Sequence, residues 1–285
     1  MAAVDLEPLR AWIGRSQTRT ELLAIEPAAL VAATLDLDPE AFRNGTPLPP
    51  AFHWLYFNAI SPLSQLGPDG HAARGGFLPP VALPRRMWAS SAVGLKGPLL
   101  LGSAATQTTT ITDVTAREGR SGALVFVKLR LVVTDATGAV AIEEMRQTVF
   151  RDDPKPGAPA DAGTPAPVDE TWSRTIVADP VLLFRYSAAT LNGHRIHYDR
   201  PYATQVEGYP ALVVHGPLVM TMLLDELRRR RPGAAIARFE MRAMRPLFEG
   251  QPFALCGRDA PDGSQHLWSR DASGAQCTDA RAWLR

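Results

Sequence analysis

Two matching orders of hydrophobic and polar positions run along this chain, one on either side of a proline-rich stretch. In the first, residues 6–14 and 21–35 carry apolar side chains at helical spacing, with Pro27 early and Asp36-Leu37-Asp38-Pro39 closing the second segment. Residues 51–60 are apolar and aromatic on nearly every side, which predicts a helix buried all round. After a Gly- and Pro-rich loop, residues 104–116, 123–133 and 140–150 turn β-branched and partly alternating. Turn sequences at 119–122 and 135–138 separate them, so an antiparallel meander is expected. The second order repeats the first. Gly216-Pro217 places proline at a helix start, residues 218–227 are apolar on most faces, and Arg228 to Arg231 with Pro232-Gly233 stop the helix. Strand patterns follow at 235–245, 252–258, 265–270 and 275–284. The four arginines put positive charge at a helix C-terminus, where it offsets the dipole, with contact to an anionic ligand as the alternative.

Between the two orders, residues 151–170 are small, charged and broken by prolines, and read as a linker between a domain over 1–150 and another over 171–285. A buried helix followed by a long antiparallel sheet, twice, predicts an α+β chain in which each helix is wrapped by a curled sheet. Composition adds limits. With 285 residues, 46% hydrophobic, 21% charged and a net charge of +1, the chain is globular in type and has no global field for a polyanion, so no nucleic-acid partner is expected. Cys256 and Cys277 cannot build a disulfide framework or a tetrahedral zinc site by themselves. Asp5 and Glu7 interrupt the N-terminus where a secretory signal would be apolar, and no run approaches the ~18–20 apolar residues of a membrane span. A cytoplasmic protein with no membrane partner is the expectation.

Candidate chemistry concentrates in one place. Three of the six histidines, His194, His197 and His215, lie within a short segment. Asn192, His194, His197 and Asp199 share a polar loop containing Gly193, and in an extended segment His197 and Asp199 would face the same side. Downstream, His215-Gly216-Pro217 opens the buried helix, whose unpaired N–H groups and positive dipole end suit an oxyanion. An imidazole on one loop beside an oxyanion site at the next helix start is the apparatus for acyl-thioester chemistry. A polar loop satisfied by its own hydrogen bonds is the structural alternative. No Gly-x-Ser-x-Gly elbow is present, and a two-His, one-carboxylate metal set of His194, His197 and Asp199 is a further alternative.

The stretch 184–224 resembles the MaoC-like, or type 2 hydroxyacyl-thioester dehydratase, family. That family's motif runs Asp, Asn two on, His five on and a closing Asp, with His-Gly opening a helix downstream. His197, Asp199, His215 and Gly216 match it, while Asn192 stands in the place of the catalytic Asp and His194 in that of the Asn. This variant resembles the subgroup with mitochondrial dehydratases and bacterial mesaconyl-C4-CoA hydratases. Trp12-Ile13-Gly14, the run from His53 to Phe57 and the run from Arg85 to Trp88 look like the subgroup's N-terminal half.

The resemblance implies a double hot dog and reversible hydration of a 2-enoyl thioester of coenzyme A or acyl carrier protein, with no metal and no further cofactor. It also implies a homodimer or higher homo-oligomer. Within it, His197 is the expected base, Gly216 with His215 the oxyanion element, and Asn192, His194 and Asp199 candidates to hold water or supply the second proton. A short branched or dicarboxylic acyl chain such as mesaconyl-C4-CoA is the expected substrate, with Arg85, Arg86, Arg185 and Arg195 as candidate partners for its free carboxylate. A medium-chain thioester and an inactive thioester-binding module are the alternatives. The first half has no His-x-Asp pair and is expected only to shape the acyl pocket.

Overall fold

The computed structural model describes residues 5–119, 122–153 and 163–285, and among these ten strands form one antiparallel sheet. The first half supplies β1 (Ser16–Leu22), β2 (Arg85–Leu95), β3 (Ala104–Gly119), β4 (Gly122–Thr134) and β5 (Val140–Arg151). The second supplies β6 (Trp172–Val177), β7 (Ile236–Ala243), β8 (Pro252–Asp259), β9 (Gln265–Asp271) and β10 (Gln276–Leu284). Spatially the order is β1-β3-β4-β5-β2-β7-β10-β9-β8-β6. Each half therefore follows one plan, first strand at the edge and second strand at the seam. The halves join where β2 pairs with β7, from Ser90↔Arg242 to Gly94↔Arg238. This is the double hot dog that the resemblance implies, with the sheet of each half as the repeated pattern predicts.

The repeat reaches down to single turns. The β4–β5 and β9–β10 hairpins turn on Asp135-Ala136-Thr137-Gly138 and Asp271-Ala272-Ser273-Gly274. In each, the Asp Oδ1 accepts from two backbone N–H groups and the glycine sits at positive φ, 86° and 84°.

Helices α1 (Glu7–Arg10), α2 (Ile25–Thr34), α3 (Pro180–Ala189) and α4 (Gly216–Arg230) complete the fold. α4 is the buried central helix of the second half, with Leu218, Met220 and Leu223 fully covered. Its terminal arginines pair with acids: Arg229 with Asp225, Arg230 with Glu226 and Arg231 with Asp259. The helix expected over 51–60 is instead one 3₁₀ turn, Phe52–Leu55, flanked by Ala51 and Phe57 at positive φ. Burial there was legible but its geometry was not, because a run apolar on all sides carries no period. Here the chain is anchored by donors: His53 and Trp54 both hydrogen-bond Glu144, which also accepts from Ser91 and Arg146. Helices expected over 6–14 and 21–35 shrink to α1 and α2, since residues 16–22 pair with β3 as an edge strand.

Of the expected linker 151–170, residues 154–162 lie outside the described residues, as do 120–121 of the turn expected at 119–122. Arg151 ends β5, and Thr164 and Ala166 hydrogen-bond along the β9–β10 turn. Among the described residues no helix is long and apolar enough to cross a membrane.

Candidate active site

Beyond the Ser90↔Arg242 pair β2 and β7 diverge, and a cavity of about 900 Å³ opens between the halves. Consecutive residues Arg86 to Ser90 line it, so it meets both faces of β2. From the second half come Asn192, His194 and His197 of the loop after α3, and Gly216 and Pro217 of the α4 start. That loop is set by α3, which begins with Asp179 capping the Leu182 N–H and proline in the first turn.

His197 is 7% exposed, and its Nδ1 lies 2.7 Å from the Val213 carbonyl oxygen. A carbonyl only accepts, so Nδ1 carries the hydrogen and Nε2 the lone pair. Its ring stacks on His215 at 3.7 Å and 19°. Burial, then the neighbouring His215 and His194, hold His197 well below the ordinary imidazole range, which keeps the ring neutral. His215 is fully buried, with Nε2 2.8 Å from Ser187 Oγ, and burial and His194 push it down to about 3. Asn192 Oδ1 accepts from the His194 N–H at 3.1 Å, leaving its NH₂ for the cavity. Gly216 is the first residue of α4, so its N–H has no acceptor within the helix.

Several expected residues are placed elsewhere. Asp199 does not line the cavity: residues Arg195–His197 form a 3₁₀ turn, which rotates Asp199 away from His197 and onto Arg195 at 2.7 Å and the Tyr202 N–H. Arg195 is held by that carboxylate and by the Pro68 carbonyl. Arg185 donates to Thr34 of α2, and Arg85 is taken up by Asp153 and the Glu207 carbonyl. His215 lies behind His197 rather than on the cavity wall. The metal set His194, His197 and Asp199 is therefore not assembled. Of the four arginines only Arg86 faces the cavity; its guanidinium has no side-chain hydrogen bond or close ion pair among the described residues, and Asp69 attracts its charge from a distance.

The first half contributes more than a wall. Asp69-Gly70-His71 docks directly on Asn192-Gly193-His194: the Arg195 N–H donates to the Asp69 carbonyl at 2.9 Å, and the Gly70 and Gly193 backbones meet. A Cβ on Gly193 would stand 2.7 Å from the Gly70 oxygen, and one on Gly70 would overlap the Gly193 carbonyl. His71 lines the cavity, with its ring 4.3 Å from that of His194, and its Nδ1 lies 3.0 Å from Asp69 Oδ2. Burial pushes His71 down to about 4 against the pull of Asp69. Burial would raise the Asp69 carboxyl, but the His71 hydrogen bond and charge hold it below the usual range.

An imidazole-rich cavity at a helix start is equipped to move protons beside a polarised carbonyl, and residues 51–249 match the family of type 2 hydroxyacyl-thioester dehydratases. The chain belongs to this family.

It is accordingly a hydro-lyase. This dehydratase-family chain is 45% identical over 278 residues to the mesaconyl-C(4)-CoA hydratase of Chloroflexus aurantiacus, covering 96% of this chain and 97% of that one. It is 30% identical over 235 residues to the mitochondrial type 2 hydroxyacyl-thioester dehydratase of Schizosaccharomyces pombe, covering 74% and 78%. A Mycobacterium tuberculosis protein with a double hotdog fold superposes with a TM-score of 0.59 at 15% identity, covering 96% of each chain. Against this family's motif the sequence reading overlooked Asp69 and His71. The signal available was the second x-Gly-His triplet, which the Gly- and Pro-rich surroundings concealed. Asp69, His71 and His194 each offer one donor atom within 4.8 Å of the others, the spacing of a metal set among the described residues. Both Asp69 oxygens, however, are already used by the His71 N–H and Nδ1.

Proposed function

We propose that this chain reversibly adds water to a 2-enoyl-CoA whose acyl group carries a second, free carboxylate, mesaconyl-C4-CoA being the type substrate. His197 Nε2 takes the proton of the attacking water, and the Asn192 amide donates to that water and holds it. The Gly216 N–H receives the thioester oxygen as negative charge develops there. Both halves of one chain line the cavity.

The observation that carries the dicarboxylate assignment is Arg86. It is a half-buried guanidinium in the cavity wall, beside Asp69 and His71, with no acceptor of its own among the described residues. Burial and the neighbouring Arg74 disfavour its charge more than Asp69 supports it, and a substrate carboxylate would add to that support. In a mesaconyl-C4 thioester the free carboxylate is attached to Cβ, the carbon that receives water, so an arginine close to the imidazoles is where such a substrate needs one. Arg117 and Arg242 are exposed along the same cavity and suit the phosphates of coenzyme A.

The test is product mass spectrometry over crotonyl-, octenoyl- and mesaconyl-C4-CoA with the wild type and Arg86→Gln. The wild type is expected to prefer the mesaconyl thioester. Arg86→Gln should lower kcat/KM for it by about 10²-fold, mostly through KM, and leave crotonyl-CoA within about threefold. Equal losses on both substrates would remove the carboxylate role, and a preference for octenoyl-CoA would replace the substrate class. No turnover of any thioester would remove the hydratase assignment.

A further inference from the structure

We propose that the first half of the chain supplies the second proton-transfer group of the site: His71, oriented by Asp69, exchanges the proton at the substrate Cα while His197 serves the water at Cβ. This rests on the hydratase reading above. The motif loop carries Asn192, a neutral amide that cannot give or take a proton, where the family pattern has a carboxylic acid. A carboxylate-backed imidazole nevertheless faces the same cavity from the opposite loop. Asp69 Oδ1 accepts from the His71 N–H at 3.0 Å and Oδ2 from Nδ1 at 3.0 Å, which leaves Nε2 as the exchanging nitrogen.

The placement is built rather than incidental. The two loops touch glycine to glycine, where no side chain fits on either partner. Arg195 ties them twice, through its N–H to the Asp69 carbonyl and its guanidinium to the Pro68 carbonyl, while Asp199 holds that guanidinium. Both triplets lie between the first and second strands of their halves, so the duplication itself brings them face to face.

The proton count closes. In hydration, the water oxygen bonds to Cβ and its proton passes to His197 Nε2. The π pair of the double bond moves into the thioester as an enolate, held at the Gly216 N–H. Cα then takes a proton from Nε2 of protonated His71 as the carbonyl re-forms. One water has been added, His197 has gained a proton and His71 has lost one. His194 stands between them, its ring 5.6 Å from His197 and 4.3 Å from His71, positioned to return the proton. Burial depresses both rings, but Asp69 opposes it at His71, whereas at His197 only the Val213 carbonyl does. Of the two rings His71 is the one backed by a carboxylate, which stabilises it when it carries the proton, so it is placed to act as the acid and His197 as the base.

The experiment separates Cα from Cβ chemistry. Wild type, His71→Gln, Asp69→Asn and His197→Gln are assayed for hydration, and for deuterium uptake at Cα of a saturated acyl-CoA in D₂O, which needs no water addition. His71→Gln should lower hydration by about 10²–10⁴-fold at nearly unchanged KM and abolish Cα exchange. His197→Gln should lose hydration to a similar degree yet retain exchange. Asp69→Asn, acting through His71, should slow exchange and kcat together by about 10–100-fold with KM unchanged, which a merely loosened loop would not do. Exchange surviving in His71→Gln and vanishing in His197→Gln would overturn the proposal in favour of one histidine. A stoichiometric divalent metal held by His71 and His194 in the purified protein would also overturn it, because a coordinated nitrogen cannot carry the proton. Wild-type protein that neither hydrates nor exchanges would remove the hydratase reading together with this one, a result distinct from an active enzyme indifferent to His71.

Discussion

Adjacent residues of this chain have opposite fates, and the neighbours each one meets decide which. Arg85 and Arg86 are indistinguishable by sequence, yet Asp153 and Glu207 take up Arg85 at the start of β2, while Arg86 meets the cavity. Asn192, His194 and His197 were legible as a cluster because they fall within one polar loop. Asp199 was misplaced because a 3₁₀ turn, not an extended segment, connects it to His197. The stacked His197–His215 pair makes a prediction at this scale. Both rings are held neutral by burial, with folded values below the unfolded ~6.5, so their contribution to stability is complete above pH ~6.5 and is lost as pH falls toward the about 3 of His215. At pH 5, still above the carboxylate range, the loss from His215 should reach roughly 2 kcal/mol, with a further loss in the same direction from His197. Thermal melts between pH 8 and 5 are expected to show a steadily falling Tm below pH 6.5, and a flat profile would mean the rings are solvated.

Elements were recognisable in proportion to how strongly their burial imposes a period. The central helix α4 and the strands β3, β4, β5 and β7 to β10 have buried faces that show in the sequence. β1 is a polar edge strand whose Ser16, Thr18 and Thr20 hydroxyls bond to Thr110, Thr108 and Thr106 across the ladder, so it offers no apolar alternation. α3 carries its own sequence signal in Asp179-Pro180, a cap followed by proline. The start of α4 also yields a test. A Cβ on Gly216 would find only Met241 Cε, at 3.9 Å, and the residue is not at positive φ. Neither packing nor backbone requires glycine there, and the space at the helix tip is open to the cavity. Gly216→Ala should keep the wild-type Tm within about 1–2 °C but lower kcat/KM at least about tenfold, read from melts and steady-state hydration. An unchanged kcat/KM would show that no thioester approaches this helix tip.

At the scale of the whole molecule the two halves share a hydrophobic core, which is expected to make them unfold together. It runs from Leu23, Val31 and Trp54 of the first half to Leu183, Leu218 and Phe239 of the second, and the β2–β7 ladder continues the sheet across the seam. Phe239, fully buried, pairs with Val93 in register and meets Trp54 edge-on at 5.8 Å. Phe239→Ala should cost about 3–5 kcal/mol and lower the midpoint of one cooperative denaturant transition. Two separated transitions would mean that the halves unfold independently. The sequence by itself determined the fold class, the duplication and the loop that carries the imidazoles, because these rest on local periodicity, turn chemistry and residues close along the chain. Only the tertiary structure decided which arginine faces the cavity, that Asp199 serves as a tether, and that Asp69 and His71 join a site more than a hundred positions away. Those outcomes depend on how two similar halves meet across a seam, and contacts made by that meeting leave no periodic trace in either half.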